Sequence, residues 1–81
     1  AIFCSLSGYG QEGRSRDRPS YDVIAQGESG AQEVTGEPDG PPMKFGLSIA
    51  DLTAGQHAVE GILLALHRRA RTGRGDRVDV A

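Results

Sequence analysis

Large side chains are scarce in this sequence. It has no tryptophan, two phenylalanines, two tyrosines and one methionine, for an aromatic share of 5%. Aromatic residues carry much of the buried area of small domains, so any core must be built from aliphatic and small residues. Cys4 is the only cysteine. That excludes an internal disulfide and fits a reducing, cytoplasmic setting. No apolar run reaches the roughly 20 residues of a bilayer span, and no secretory signal pattern is present. Excess positive charge is lacking too. Nine basic residues face eleven acids, a net charge of −2, whereas nucleic-acid binders usually show a basic stripe. The basic residues of 67–77 form one local cluster, which reads as a solvated helix end.

What is abundant is glycine, at twelve residues, with four prolines; both favour turns and close backbone approaches. The 81 residues are enough for one small domain, which buries only about 60–65% of its unfolded surface. Both ends read as cut. Ala1 stands inside a strand-like run without an initiator methionine, and residue 81 closes another such run, DRVDVA. Residues 1–81 are therefore expected to be an internal segment of a longer chain.

AIFCSLS (1–7) reads as a short buried strand bounded by glycine. Residues 8–20, GYGQEGRSRDRPS, are polar and glycine-rich and read as an exposed loop. Residues 21–34 place Val23, Ile24 and Ala31 on one helical face, with Ser20 as a cap and Asp22 in the first turn, where the helix dipole favours an acid. TGEPDGPP (35–42) is turn chemistry throughout, and MKFGLSIA is expected to be extended or irregular. From near Asp51, Leu52, Gly55, Val59, Ile62, Leu63 and Leu66 recur at three- and four-residue spacing, which predicts an amphipathic helix. HRRAR puts cations in its last turns, and Gly73 suits a left-handed stop. DRVDVA follows as a strand. The order strand, loop, helix, loop, helix, strand is an α/β pattern.

Most motif matches have a plain structural explanation. GYGQEG (8–13) fits G-x-G-x-x-G, but no apolar helix follows and Pro19 intervenes, so a glycine loop is favoured over a phosphate loop. RGD (74–76) reads as the turn after a helix stop. His57 and His67 lack the four-residue spacing of helical metal ligands, so no metal site is expected. Cys4, in an apolar strand with no cation nearby in sequence, reads as buried and inert. Asp51 supports two readings that do not exclude each other. It suits a helix cap, since a carboxylate accepts the free amides of a first turn. It also suits a nucleophile, since covalent catalysis by aspartate uses the anion, and its small neighbours Ala50, Ala54 and Gly55 leave room for a substrate.

Taken together, CSLSGYGQEG (4–13), DRPSYDVIAQGESG (17–30), TGEPDGPPMKFGLSIADLTAG (35–55) and GILLALHRRARTGRGDRVDVA (61–81) resemble the class III coenzyme A transferases. That group includes formyl-CoA and carnitine CoA-transferases and the 2-methylacyl-CoA racemases. Full members are roughly five times longer, as multidomain chains can be. The resemblance implies a piece of the family's Rossmann-like large domain. It implies transfer of CoA from an acyl-CoA to a carboxylic acid, with CoA as substrate and no permanently bound cofactor. It places the nucleophile at Asp51, a CoA contact at Tyr21 and an acid beside the site at Asp22. Read from the residues alone, Tyr21 is equally a core aromatic and Asp22 a first-turn acid. In the racemases the position of Tyr21 is a histidine that exchanges an α-proton. An ordinary tyrosine, with a pKa near 10, is poorly matched to that task, which favours transferase over racemase. The resemblance further implies an interlocked homodimer, which a lone segment cannot form, so the segment is expected to be inactive by itself. The remaining alternative is a small α/β module without enzymatic activity, in which Asp51 is only a cap.

Overall fold

A computed structural model describes residues 1–81. The elements are β1 (Ile2–Leu6), α1 (Asp22–Glu28), α2 (Ile49–Thr72) and β2 (Asp76–Val80). The order and the α/β class agree with the sequence reading. β1 and β2 pair in parallel, in register from Ile2↔Asp76 to Leu6↔Val80, and the ladder continues with the Ser7 amide donating to the Val80 carbonyl (3.0 Å). Parallel pairing sends both strands' C-terminal ends to the same edge, so Ser7 and Ala81 emerge side by side. α2 packs across this pair, and α1 packs against the start of α2.

α2 ends as its sequence predicts. Gly73 adopts φ 73°, and its amide donates to the Arg69 carbonyl at 2.7 Å, the left-handed stop that side chains with a Cβ resist. In the RGD turn, Asp76 forms an ion pair with Arg68 at 2.8 Å. Residues 8–20 form no helix or strand. Gly8 and Ser20 close the two ends of this loop, and a Cβ on Gly8 would collide with the Ser20 side chain.

Several expectations are corrected. α1 spans only Asp22–Glu28, not 21–34. It is followed by turns, with Gly30 at φ 83°. Ser20 does not cap it; Tyr21 holds the cap position without a side-chain bond. The buried side chains of α1 are Asp22 and Gln26, while Val23 and Ile24 are exposed. β1 is not buried: Phe3 and Cys4 are both exposed. On α2 the covered positions include Ala54, Ala58, Gly61, Ile62 and Ala65, whereas Leu52, Val59, Leu63 and Leu66 of the predicted face stay exposed. Closeness explains the choice of small residues. A Cβ at Gly61 would sit 2.6 Å from Val78 Cγ1, so a larger side chain at this contact would push the helix off the strand. No helix is long and apolar enough to cross a membrane.

Candidate active site at the C-terminal edge of the strands

A cleft of about 510 Å³ opens where β1 ends and both helices begin. Its walls include Ser7, Tyr21, Asp51, Thr53 and His57, with the small residues Gly8, Ala25, Ala50 and Ala54 and the terminal Ala81 between them. Ligands of open parallel sheets bind outside the carboxyl ends of the strands, and this cleft has that location. It joins two residues singled out in the sequence, Tyr21 and Asp51, which are 30 positions apart in the chain. Tyr21 is 71% exposed, so it is not a core aromatic within these residues. His57, considered from sequence only for its spacing to His67, is exposed and also lines the cleft. Ser7 was not singled out. Its hydroxyl is buried without a protein hydrogen-bond partner, a polar atom at the cleft wall that no sequence pattern marks.

Asp51 is not the cap of α2. Ser48 holds that position, and Asp51 stands in the first turn with its side chain exposed. The capping carboxylate belongs to Asp22. Its Oδ1 accepts the Ala50 amide at 2.7 Å and the Asp51 amide at 3.2 Å, across a chain separation of 28 and 29 residues. The amide of Ile49 donates to the Leu47 carbonyl (2.8 Å), and that of Leu52 makes the first regular helical bond, to Ser48 (3.0 Å). Of the donors that this helix start leaves free, those of Ile49, Ala50 and Asp51 are therefore engaged.

Asp22 is itself held. It is buried, at 7% exposure, and its Oδ2 accepts the Gln26 side-chain amide. Gln26, at 1% exposure, also donates to the Leu47 carbonyl (3.3 Å) and accepts the Phe45 amide at 2.8 Å. One glutamine on α1 thus ties down both the capping acid and the strand of chain that leads into α2. Burial by itself raises the pKa of Asp22. The Asp51 amide, the Gln26 amide, the Ala50 amide and the nearby Lys44 charge together outweigh it and hold the carboxyl below its ordinary value. A folded pKa below the unfolded one stabilises the fold fully at pH above the ordinary carboxylate range. That contribution is lost as pH falls towards the lowered folded value. Acid titration of the intact protein is expected to show this loss, and Asp22→Asn is expected to flatten that part of the stability profile. An identical acid profile in the variant would show that Asp22 does not carry it.

No group of three or more histidine, cysteine, aspartate or glutamate side chains is gathered in a way that suits a metal ion. Asp22 does not line the cleft; it stands behind Ala50 and Asp51, which do.

Known proteins are similar to this chain in sequence and fold. The chain is 46% identical over 80 residues to the succinate–glutarate CoA-transferase of Agrobacterium fabrum, covering 99% of this chain and 20% of that one. It is equally 46% identical to a formyl-CoA:oxalate CoA-transferase of Streptomyces avermitilis, covering 19% of it. The chain thus spans about a fifth of the length of the curated relatives it matches. Among solved structures, a CaiB/BaiF family protein from Brucella suis superposes with a TM-score of 0.93 at 44% identity, over 99% of this chain and 21% of that one. A hypothetical protein from Mycobacterium tuberculosis superposes with a TM-score of 0.85 at 31% identity, over 99% and 23%. The family model described as CoA-transferase family III matches residues 1–81, and the chain belongs to that family.

Proposed function

We propose that residues 1–81 are an internal segment of a longer CoA-transferase and carry its nucleophile, Asp51. The observation that supports this most is the state of the Asp51 side chain. It is exposed, it borders a cleft at the strand ends, and two backbone amides of its turn are taken by Asp22. A carboxylate is a weak nucleophile, and one bound by amides is weaker still, since those bonds favour the unreacted anion.

In the proposed reaction the Asp51 carboxylate attacks the carbonyl carbon of an acyl-CoA thioester. The C–S bond breaks, CoA leaves as thiolate, and a mixed aspartyl anhydride remains. The thiolate then attacks the aspartyl carbonyl, which releases the first acid as its carboxylate and leaves an aspartyl-CoA thioester. An incoming carboxylate attacks that thioester and expels the thiolate. The resulting second anhydride is opened by thiolate at the acceptor's carbonyl, which gives the new acyl-CoA and frees Asp51. Every step exchanges one acyl bond for another, with no net proton or electron. A difficult exchange is thereby divided into easier covalent stages. Tyr21, exposed on the same cleft, is proposed to contact CoA. The partner substrate is a carboxylic acid, in keeping with the names of the relatives, and the intact protein is proposed to be a homodimer.

Trapping tests the covalent steps. Hydroxylamine added with acyl-CoA to the intact protein is expected to convert Asp51 to its hydroxamate, seen as a mass change confined to the peptide that contains it. A fully active protein that never acquires this label would remove Asp51 from the reaction.

A further inference from the structure

We propose that Asp22 is the positioning residue of this site. By accepting the Ala50 and Asp51 amides from outside the helix, it fixes the first turn of α2 and leaves the Asp51 carboxylate unbound and turned to the cleft. This rests on the reading of Asp51 as nucleophile and adds the means by which its geometry is set.

Three observations carry it. First, the cap comes from outside the helix: two amides at the start of α2 go to Asp22 Oδ1, at 2.7 and 3.2 Å, and α2 has no side-chain cap from its own cap residue. Acidic side chains near a helix start commonly turn back onto backbone amides of their own turn. Two amides of this turn are held by Asp22 and are not open to Asp51. Second, Asp22 is in no position to bind substrate itself. It is 7% exposed, both of its oxygens are engaged, and it stands outside the lining of the cleft. Third, its own orientation is fixed. Gln26, at 1% exposure, bonds Asp22 and also holds the chain before α2 at Leu47 and Phe45. The cap and the approach to the helix therefore move as one unit. Tyr21, on the cleft, directly precedes Asp22 in the chain. The same turn thus joins the proposed CoA contact to the proposed nucleophile. Misplacement of a reacting group by about 1 Å can reduce rate on the order of 10²-fold, so small shifts of this turn are expected to be felt.

The test compares Asp22→Ala, Asp22→Asn and the unsubstituted intact protein, reading the rate of hydroxamate formation at Asp51 and the KM for acyl-CoA. Asp22→Ala removes the acceptor and is expected to slow labelling by on the order of 10²-fold with KM changed less than about threefold. Asp22→Asn keeps one carbonyl oxygen for the amides and is expected to restore the rate to within about tenfold. A residue that only stabilises the fold would lower the melting temperature and leave the labelling rate intact, and that outcome overturns the proposal. A raised KM at unchanged rate overturns it in favour of direct CoA contact. Loss in Asp22→Asn as complete as in Asp51→Asn overturns it as well, because the carboxylate would then be taking part in the chemistry. If Asp22→Ala does not fold, Asp22→Asn decides by these same criteria. Absence of any label in the unsubstituted protein removes the nucleophile reading and this inference together, whereas normal labelling in Asp22→Ala removes this inference alone.

Discussion

Replacing Asp51 with asparagine in the intact protein is expected to abolish CoA transfer while leaving the fold in place. An amide matches the carboxylate in shape but has no anionic oxygen to attack a thioester. Removal of a covalent nucleophile elsewhere costs about 10⁶-fold in turnover, and a loss of at least about 10⁴-fold is expected here. Stability should hardly change. The side chain is exposed, the helix start is capped by Asp22 rather than by Asp51, and what is lost is the interaction of one acid with the helix dipole, about 0.3–1 kcal/mol. This separation of activity from stability discriminates between the two roles open to Asp51 in the sequence. A capping residue would lose stability first. Normal turnover in Asp51→Asn or Asp51→Ala, measured as exchange of CoA between an acyl-CoA and a carboxylate, would refute the assignment.

Residues 1–81 expressed alone are expected to show no cooperative melt and no CoA exchange. Only three residues are buried, and two of them, Asp22 and Gln26, are polar; Ala65 is the sole buried apolar residue. Phe3, Leu52, Val59, Leu63 and Leu64 are all more than half exposed. The radius of gyration is 16.0 Å, against about 12 Å for a compact domain of this length. Two strands and two helices arranged so openly bury too little apolar surface to offset the conformational entropy of ordering them. Circular dichroism should show a broad, shallow thermal change, and a dye that reports exposed apolar surface should bind well before heating. A sharp transition from a monomer, with the dye excluded, would instead favour the non-enzymatic module.

The parts of the fold that are legible in the sequence are those decided locally. Gly73 stops α2 because only a local left-handed turn is needed. The polar run 8–20 stays irregular because it has no apolar face to bury. DRVDVA alternates and forms β2 with Asp76, Val78 and Val80 partly covered and Arg77 and Asp79 exposed. What is not legible is decided between distant segments. The face of α2 that meets the sheet is chosen by closeness to Val78 rather than by hydrophobicity, so Gly61 and Ala65 are used and Leu63 is not. Of the face that a spacing argument selects, only Gly55 and Ile62 are partly covered within these residues. The start of α2 shows the same limit. Asp51 has the residue type of a cap, but the bond is made by an acid 29 positions earlier, and no local pattern distinguishes the two. Gln26 gives no signal at all, because a glutamine in a short helix is ordinarily solvated. Within the site, Asp51 is marked by its residue type and small neighbours and Tyr21 by family resemblance, and both line one cleft. Ser7 and His57 join them only through the meeting of β1 and α2.

The collision that a Cβ on Gly8 would suffer against Ser20 has a topological meaning. The polypeptide leaves β1 and returns to nearly the same point before Tyr21, so residues 8–20 make a closed lobe with a pinched neck, of the kind found in Ω-loops. Inside the lobe, Arg18 lies over the Tyr9 ring at 4.7 Å, and the Gln11 amide reaches Asp79 at 3.2 Å. Extra residues inserted at its tip would enlarge the lobe without altering the gap between the strand and Tyr21, at an entropic penalty that grows only logarithmically with length. The neck, not the length of the lobe, therefore sets where the chain re-enters at Tyr21.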